Sequence, residues 1–212
     1  MPPRLRASGS RNSTLAEVAS IASFSYDAPV FQVGTRRLTA DDSGGNLDIM
    51  VLWTMKSECR RSGLAEGCIL TETTRNNMEG LVNLAVLNTN VAFTNAGITT
   101  QLRLVHQYRH PSYIESSFSA YGSALTALRS NDDNIMDDVH KKRILYGADI
   151  VALLIDDSQY CGIGYIGPRI DLMFSVTAWN CAAGYYTLAH EIGHNLVRKN
   201  LLFEFQAVSR LC

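Results

Sequence analysis

Apolar and polar residues alternate in blocks along this chain, and the blocks predict strands and helices in turn. Residues 47–54 form an apolar, partly β-branched run that is typical of a buried strand. Residues 71–96 follow helical spacing up to a glycine, and residues 99–106 alternate like a strand with one buried face. We expect one side of the first helix to carry Leu81, Leu84, Ala85, Asn88, Val91 and Ala92.

The second half of the chain repeats this alternation. Residues 118–130 and 133–146 predict two helices, and the fully apolar run 150–155 is typical of a central strand. Two further strands (161–167 and 174–179) and a helix (185–196) complete the predicted order. Strands that alternate with helices indicate an α/β fold with a mostly parallel sheet.

Composition narrows the class of protein. The 212 residues are 46% apolar and 18% charged, which is typical of a globular chain. A net charge near −1 gives no reason to expect nucleic acid or an anionic membrane as a partner. No apolar run approaches the length of a membrane span, and no apolar stretch follows the basic first ten residues, so we expect neither a span nor a visible secretory signal.

The five cysteines leave two alternatives. None forms a Cys-x-x-Cys pair, so a cysteine-rich structural zinc site is not expected. Cys59 and Cys68 flank a turn-forming insert, and Cys161 and Cys181 bracket two strand-like runs. Two local disulfides would form in an oxidising compartment, whereas a cytosolic protein would keep four reduced thiols. Cys212 is left over.

The stretch HEIGH at residues 190–194 carries the strongest chemical signal. On a helix, His190 and His194 lie one above the other on the same face, so both imidazoles can reach one metal ion. Two neutral imidazoles suit Zn²⁺ and leave a coordination position open, while Glu191 is placed to act as general base on water. We therefore predict metal ligands at His190 and His194 and a catalytic carboxylate at Glu191.

Residues 162–167, GIGYIG, match the dinucleotide fingerprint in letters only. That fingerprint needs a helix to begin at its third glycine, but Pro168 follows at once, and no acidic residue outside the HEIGH motif lies near the expected ribose position. Glycines in a strand also permit close backbone approach, which suits an edge strand that pairs with an extended peptide. The predicted substrate-binding residues are Gly162, Ile163, Gly164 and Tyr165.

Three other histidines could in principle add a ligand to the predicted metal site. They are His106, His110 and His140. A lone histidine is far more often a surface or capping residue, so we do not expect any of them at the metal.

Residues 181–196, CAAGYYTLAHEIGHNL, resemble the metzincin zinc endopeptidases, and within them the peptidyl-Asp metalloendopeptidases and reprolysin-like peptidases. Residues 81–86, 102–106, 146–151 and 157–162 also resemble that group. The resemblance implies the amino-terminal subdomain of a zincin: a twisted, mostly parallel mixed sheet with helices that include the active-site helix. It also implies a secreted, Zn²⁺-dependent hydrolase that cleaves internal peptide bonds of protein or peptide substrates.

The resemblance ends abruptly after Leu196. The family motif continues to a glycine and a third histidine, where this chain has Val197 and Asn200, and no methionine follows Met173 to form the family's Met turn. We therefore expect a site with two histidine ligands. The pattern predicts a leader or pro-segment remnant at 1–45, a catalytic subdomain at 46–196, and a divergent tail at 197–212 of a truncated or mis-spliced chain.

Two functions follow from these observations. The first is a zinc metalloendopeptidase, impaired by the missing third histidine. The alternative is a catalytically inactive metzincin remnant, or a module that binds peptides at its edge strand.

Overall fold

The computed structural model describes residues 45–115 and 120–196. Nearly all of the predicted leader, the whole of the predicted tail and Cys212 lie outside the described residues. Within the described ranges, no helix is both long and apolar enough to cross a membrane.

The core of the fold is a five-stranded sheet in the order β2-β1-β3-β5-β4. β1, β2, β3 and β5 run parallel, and β4 pairs antiparallel with β5 at one edge. The mostly parallel mixed sheet confirms the predicted fold class. The strands are β1 (Leu47–Trp53), β2 (Leu102–Arg109), β3 (Ile150–Ile155), β4 (Gly162–Gly164) and β5 (Phe174–Ala178).

Helices cover both faces of this sheet. One apolar cluster joins the sheet to α3 and α4, and a second joins it to α2 and α5. Because both faces of the sheet are covered, the central strand β3 is apolar throughout, and every one of its residues is buried. The helices are α1 (Met55–Arg61), α2 (Glu72–Asn95), α3 (Ala120–Arg129), α4 (Asp137–Tyr146) and α5 (Thr187–Leu196), with a 3₁₀ turn at Ile170–Leu172.

Several elements differ from the sequence prediction: α4 begins four residues later than predicted, β4 is four residues shorter, and two further differences have a clear structural cause. Helix α1 was not predicted; it begins because the Thr54 hydroxyl accepts a hydrogen bond from the Ser57 amide, and it buries Glu58 against the indole N–H of Trp53. Strand β2 begins three residues later than predicted. The Asn90 side chain holds its first residue in place by bonding both backbone groups of Leu102.

The predicted buried side of α2 is only partly right. Leu84 and Val91 are 47% and 43% exposed, whereas Val82, Val86 and Phe93 are buried. The helix packs against both the sheet and α5. Its buried side is therefore shifted around the helix by about one residue from the predicted side.

Both predicted disulfides are present. Cys59 bonds Cys68, and Cys161 bonds Cys181. The second bond links the residue before β4 to the segment that leads into α5, so it ties the edge strand to the helix that carries the HEIGH motif.

Candidate active site

Helix α5 is positioned by apolar contacts on one side and by the sheet edge on the other. Leu188 and Ile192 belong to the apolar cluster shared with α2. The chain enters the helix through Tyr186, which has a positive φ of 55° and whose carbonyl accepts the amide hydrogen bond of His190. Most of the helix is buried, so its polar side chains are held in one arrangement.

The two histidines of the motif converge, as their spacing predicts. The Nε2 atoms of His190 and His194 are 3.1 Å apart, with the rings nearly perpendicular at 84°. Zinc bonded to two imidazole nitrogens at about 2.0–2.1 Å in tetrahedral geometry holds them roughly 3.3 Å apart, so the pair fits that ion. Burial and the neighbouring His190 lower the pKa of His194, which favours the neutral ring that binds metal.

The Glu191 side chain is held in a nearly dry position against strand β4. The residue is 4% exposed, and burial raises the pKa of its carboxyl group to about 7. It projects from the side of α5 that faces β4. A carboxylate in this position can accept and return a proton near neutral pH.

Strand β4 passes directly over Glu191. A Cβ atom built on Gly162 would lie 2.7 Å from Glu191 Oε1, and one built on Gly164 would lie 3.0 Å from the Glu191 carbonyl oxygen. The strand can approach the helix this closely only because both residues lack side chains. Ile163 and Tyr165 alternate with these glycines, so their side chains lie on the other face of the sheet.

Three of the predicted substrate-binding residues, Gly162, Ile163 and Gly164, therefore form an edge strand that packs against Glu191 of α5, and Tyr165 follows directly after it. β4 pairs with β5 on one side, and no other described strand pairs with its outer side. That free edge can accept hydrogen bonds and donate them to an extended chain. The motif at 162–167 forms a strand and a loop, without the helix that a dinucleotide site requires.

Asn195 is a positioning residue that the sequence prediction missed. It is fully buried, and its amide nitrogen donates to the carbonyl oxygens of Tyr165 and Leu172 at 2.8 and 3.0 Å, with a longer contact to that of Phe174. It therefore anchors the end of α5 to the residue that follows β4 and to the start of β5. The sequence signal was only a polar residue directly after the HEIGH motif.

The three remaining histidines take part in other contacts. His106 stacks on Tyr146 with ring centroids 3.7 Å apart, and His110 contacts the Asp138 carboxylate at 3.0 Å. His140 packs near Phe174 on the face of the sheet opposite α5. Within residues 45–115 and 120–196, no group of three metal-binding side chains forms. The described part of the site therefore brings together two potential metal ligands, His190 and His194, and position 200 lies beyond it.

Comparison with known proteins gives a family match over the same region. Residues 80–198 match the family described as Metallo-peptidase family M12B Reprolysin-like, which is more than half of the chain. The match begins within α2 and includes β2 to β5 and α5.

Curated relatives carry names that agree with this match. The chain is 40% identical over 119 residues to the peptidyl-Asp metalloendopeptidase of Stenotrophomonas maltophilia, and 37% identical over 119 residues to that of Xanthomonas campestris pv. campestris. Each alignment covers 56% of this chain but 28% of the relative. The chain therefore matches little more than a quarter of the length of these relatives.

A solved structure resembles the fold at low sequence identity. One chain of a structure titled "Structure of a chaperone-substrate complex" aligns with a TM-score of 0.50 and 18% identity. The alignment covers 71% of this chain and 25% of that one. This likeness concerns the fold alone.

Proposed function

The chain belongs to the reprolysin-like M12B metallopeptidase family, and from this premise we propose that it is a zinc-dependent endopeptidase. The observation that carries the proposal is the pair of Nε2 atoms 3.1 Å apart on α5, a helix that also carries the buried Glu191. The relatives named above share the family's metallopeptidase character.

His190 and His194 would hold the metal ion in this proposal. Bound zinc would supply Lewis acidity, which acidifies water and polarises a carbonyl group. The imidazoles serve as neutral ligands, which suits the lowered pKa of His194.

Glu191 would act as general base and then as general acid. Its carboxylate takes a proton from the attacking water and gives it to the nitrogen of the leaving amine. Because the Glu191 side chain is packed between the backbone of α5 and strand β4, its carboxylate has little freedom to turn away from the scissile bond. The dry surroundings also keep competing water away from it.

Strand β4 would bind the substrate backbone. A peptide that pairs with its free edge becomes an additional strand of the sheet, and its scissile bond lies alongside the histidine motif. The substrate class is therefore an extended segment of protein or peptide. We propose a preference for aspartate-containing sequences because the relatives are named for peptidyl-Asp cleavage.

An oxidising compartment fits the two disulfides, so we propose that the protein acts outside the cytoplasm. Disulfides of this kind do not persist where glutathione and thioredoxin keep thiols reduced.

A peptide-binding module without catalysis is the second candidate. It is favoured by one observation: the described residues supply two metal ligands, and Asn200 occupies the position of the family's third histidine. An amide oxygen is a poor ligand for Zn²⁺. Such a protein would keep the β4 edge but lose metal affinity.

The test is zinc content together with peptide hydrolysis by the full chain. After dialysis against buffer with trace zinc, we expect near one zinc per chain in the wild type and none in His194→Ala, with His106→Ala as a histidine control outside the site. Glu191→Gln should keep zinc and lose hydrolysis by at least about 1000-fold. Zinc retention without hydrolysis in the wild type would contradict the endopeptidase, and no retained zinc would support the binding module instead.

A further inference from the structure

Three polar atoms are buried between α5 and the sheet, and we call them the polar layer. They are Ser175 Oγ and Thr177 Oγ1 of β5 and Asn195 Oδ1 of α5. Each of the three residues is 0% exposed, and these atoms have no hydrogen-bond partner among the described residues. A buried polar group without a partner is costly and rare in folded proteins. Three of them in one place therefore indicate a role beyond packing.

The two hydroxyl groups of the polar layer face α5. Phe174, Val176 and Ala178 belong to the apolar cluster on the α3 and α4 side of the sheet. Successive side chains of a strand point to opposite faces, so Ser175 and Thr177 point to the face that α5 covers. The rest of the sheet carries apolar side chains on that face. The hydroxyl groups are thus an exception in an otherwise apolar layer.

The register of β4 and β5 places each hydroxyl group near one oxygen of Glu191. Thr177 pairs with Gly162, and Ser175 pairs with Gly164. Cβ atoms at opposed positions of an antiparallel pair lie about 4.5–5.5 Å apart on one face. The Glu191 oxygens lie on that same face, with Oε1 2.7 Å from the Cβ position of Gly162 and Oε2 3.3 Å from that of Gly164. One water molecule can span such a separation with two hydrogen bonds.

The groups in this region complement one another as donors and acceptors. An ionised carboxylate and an amide oxygen only accept hydrogen bonds, whereas a hydroxyl group both donates and accepts. The Asn195 amide nitrogen is already bound to the carbonyl oxygens of Tyr165 and Leu172, so its oxygen is held in a fixed position. A buried water molecule typically makes about three hydrogen bonds to groups of this kind. One water can therefore join the hydroxyl groups to the acceptors.

We propose that Ser175 and Thr177 bind one buried water molecule that hydrogen-bonds the Glu191 carboxylate from the side of the sheet. The inference rests on the proposed function, because it makes Ser175 and Thr177 positioning residues for the general base. The bound water restricts rotation of the carboxylate, and the two hydroxyl groups do not touch the substrate.

A double-mutant cycle on the zinc-free, full-length protein tests this inference without requiring turnover. Thr177→Val removes the hydroxyl group at nearly constant volume, and Glu191→Met removes the carboxylate. Urea unfolding at pH 8 gives the equilibrium constant of unfolding for each protein. We expect Thr177→Val to raise this constant about tenfold when Glu191 is present, and to leave it unchanged or lower it in the Glu191→Met background. An equal change in the two backgrounds overturns the inference.

Thr89→Val is the matched control. Thr89 is 1% exposed, and its hydroxyl group already donates to the Ala85 carbonyl oxygen at 2.8 Å within α2. Its substitution should change the equilibrium constant of unfolding by the same factor in both backgrounds. Thr177→Ser keeps the hydroxyl group, so its effect should also be the same in both backgrounds.

A crystal structure of the zinc-free protein tests the water molecule itself. One ordered water should lie within about 3.2 Å of Thr177 Oγ1 and of a Glu191 carboxylate oxygen. The same position should hold no such water in Thr177→Val. Absence of this water from the wild type overturns the proposed bridge.

Hydrolysis separates this inference from the proposed function. Thr177→Val should lower kcat about tenfold with KM nearly unchanged, and Thr177→Ser should restore most of the loss. An unchanged kcat, or a change in KM alone, overturns the positioning role. A wild type that fails to hydrolyse peptides but shows the coupling in the stability cycle would keep the water site while rejecting the endopeptidase.

Discussion

At the scale of residues, the site depends on how closely β4 approaches Glu191. Gly162 and Gly164 are required here for space, because a Cβ atom at either position would press on Glu191. The carboxylate is thereby buried beside the histidine pair without a salt bridge among the described residues. Both its position and its raised pKa follow from this packing.

Gly162→Ala should therefore damage the site more than the fold. The new methyl group would lie 2.7–2.9 Å from Glu191 side-chain atoms, so the carboxylate must move. We expect hydrolysis to fall by at least about tenfold while zinc content is kept. Gly80→Ala is the control: nothing lies within 4 Å of its Cβ position, and it should stabilise α2 by about 0.5–1 kcal/mol. Unchanged hydrolysis in Gly162→Ala would contradict the proposed role of Glu191.

Glu191 should also make the stability of the zinc-free protein depend on pH. Its pKa is about 7 in the folded protein and ordinary when unfolded, so the unfolded chain releases this proton first as pH rises. Ionisation of the buried carboxyl group lowers the free energy of unfolding. This loss is small below about pH 4.5, grows up to about pH 7 and then stays constant at ~3 kcal/mol.

Urea unfolding in a chelator measures this effect. Glu191→Gln should nearly match the wild type at pH 4 and be more stable than it at pH 8. Equal stability of the two proteins at pH 8 would mean that the carboxylate is hydrated in the folded state.

At the scale of elements, β4 has three residues and needs support from outside its own hydrogen bonds. Asn195 bonds the chain beside it, and the Cys161–Cys181 disulfide fixes its first end. The Cys59–Cys68 disulfide instead closes the loop after α1, far from the edge strand in the order of the sheet. Both disulfides should therefore stabilise the fold, but only Cys161–Cys181 should also support peptide binding at β4.

Removing each disulfide by a double alanine substitution separates these effects. Each loss should lower the free energy of unfolding by roughly 2–4 kcal/mol, by the chain-entropy relation for loops of this size. Loss of Cys161–Cys181 should in addition weaken peptide binding in the Glu191→Gln background, measured by anisotropy at a temperature where both variants are folded. Equal peptide affinities for the two double variants would contradict the supporting role of this disulfide at β4.

At the scale of the whole molecule, a metal ion at α5 would join elements from both ends of the described chain. The helix packs against α2 and against β4 and β5, so stabilising α5 stabilises both apolar clusters. A ligand that binds only the folded state raises the free energy of unfolding as its concentration exceeds its dissociation constant.

Zinc should therefore raise the melting temperature of the metal-free protein. At 100-fold excess over the dissociation constant, the gain is about 2.7 kcal/mol, or roughly 5–10 °C for a domain of this size. Calorimetry should find this rise in the wild type and in His106→Ala, and its absence in His194→Ala. A similar rise in all three proteins would place the bound zinc elsewhere.

The sequence predicted the features that local geometry controls. His190 and His194 meet because residues four apart share one face of any helix, whatever surrounds it. The strand segments and the helix boundaries near Thr71 and Leu196 were likewise readable, since each depends on nearby residues. The two disulfides were one of the two alternatives that the cysteine positions left open. The family resemblance at residues 181–196 was sufficient to predict the zincin fold class.

Only the tertiary structure decided how distant segments complete the site. The contact of Gly162 with Glu191 and the bond from Asn195 to Tyr165 join segments about 30 residues apart in the chain. The polar layer depends in the same way on the packing of α5 on the sheet. No periodicity encodes such contacts, because they depend on which faces of separate elements pack together. The sequence therefore determined the chemical groups, and the packing determined what surrounds them.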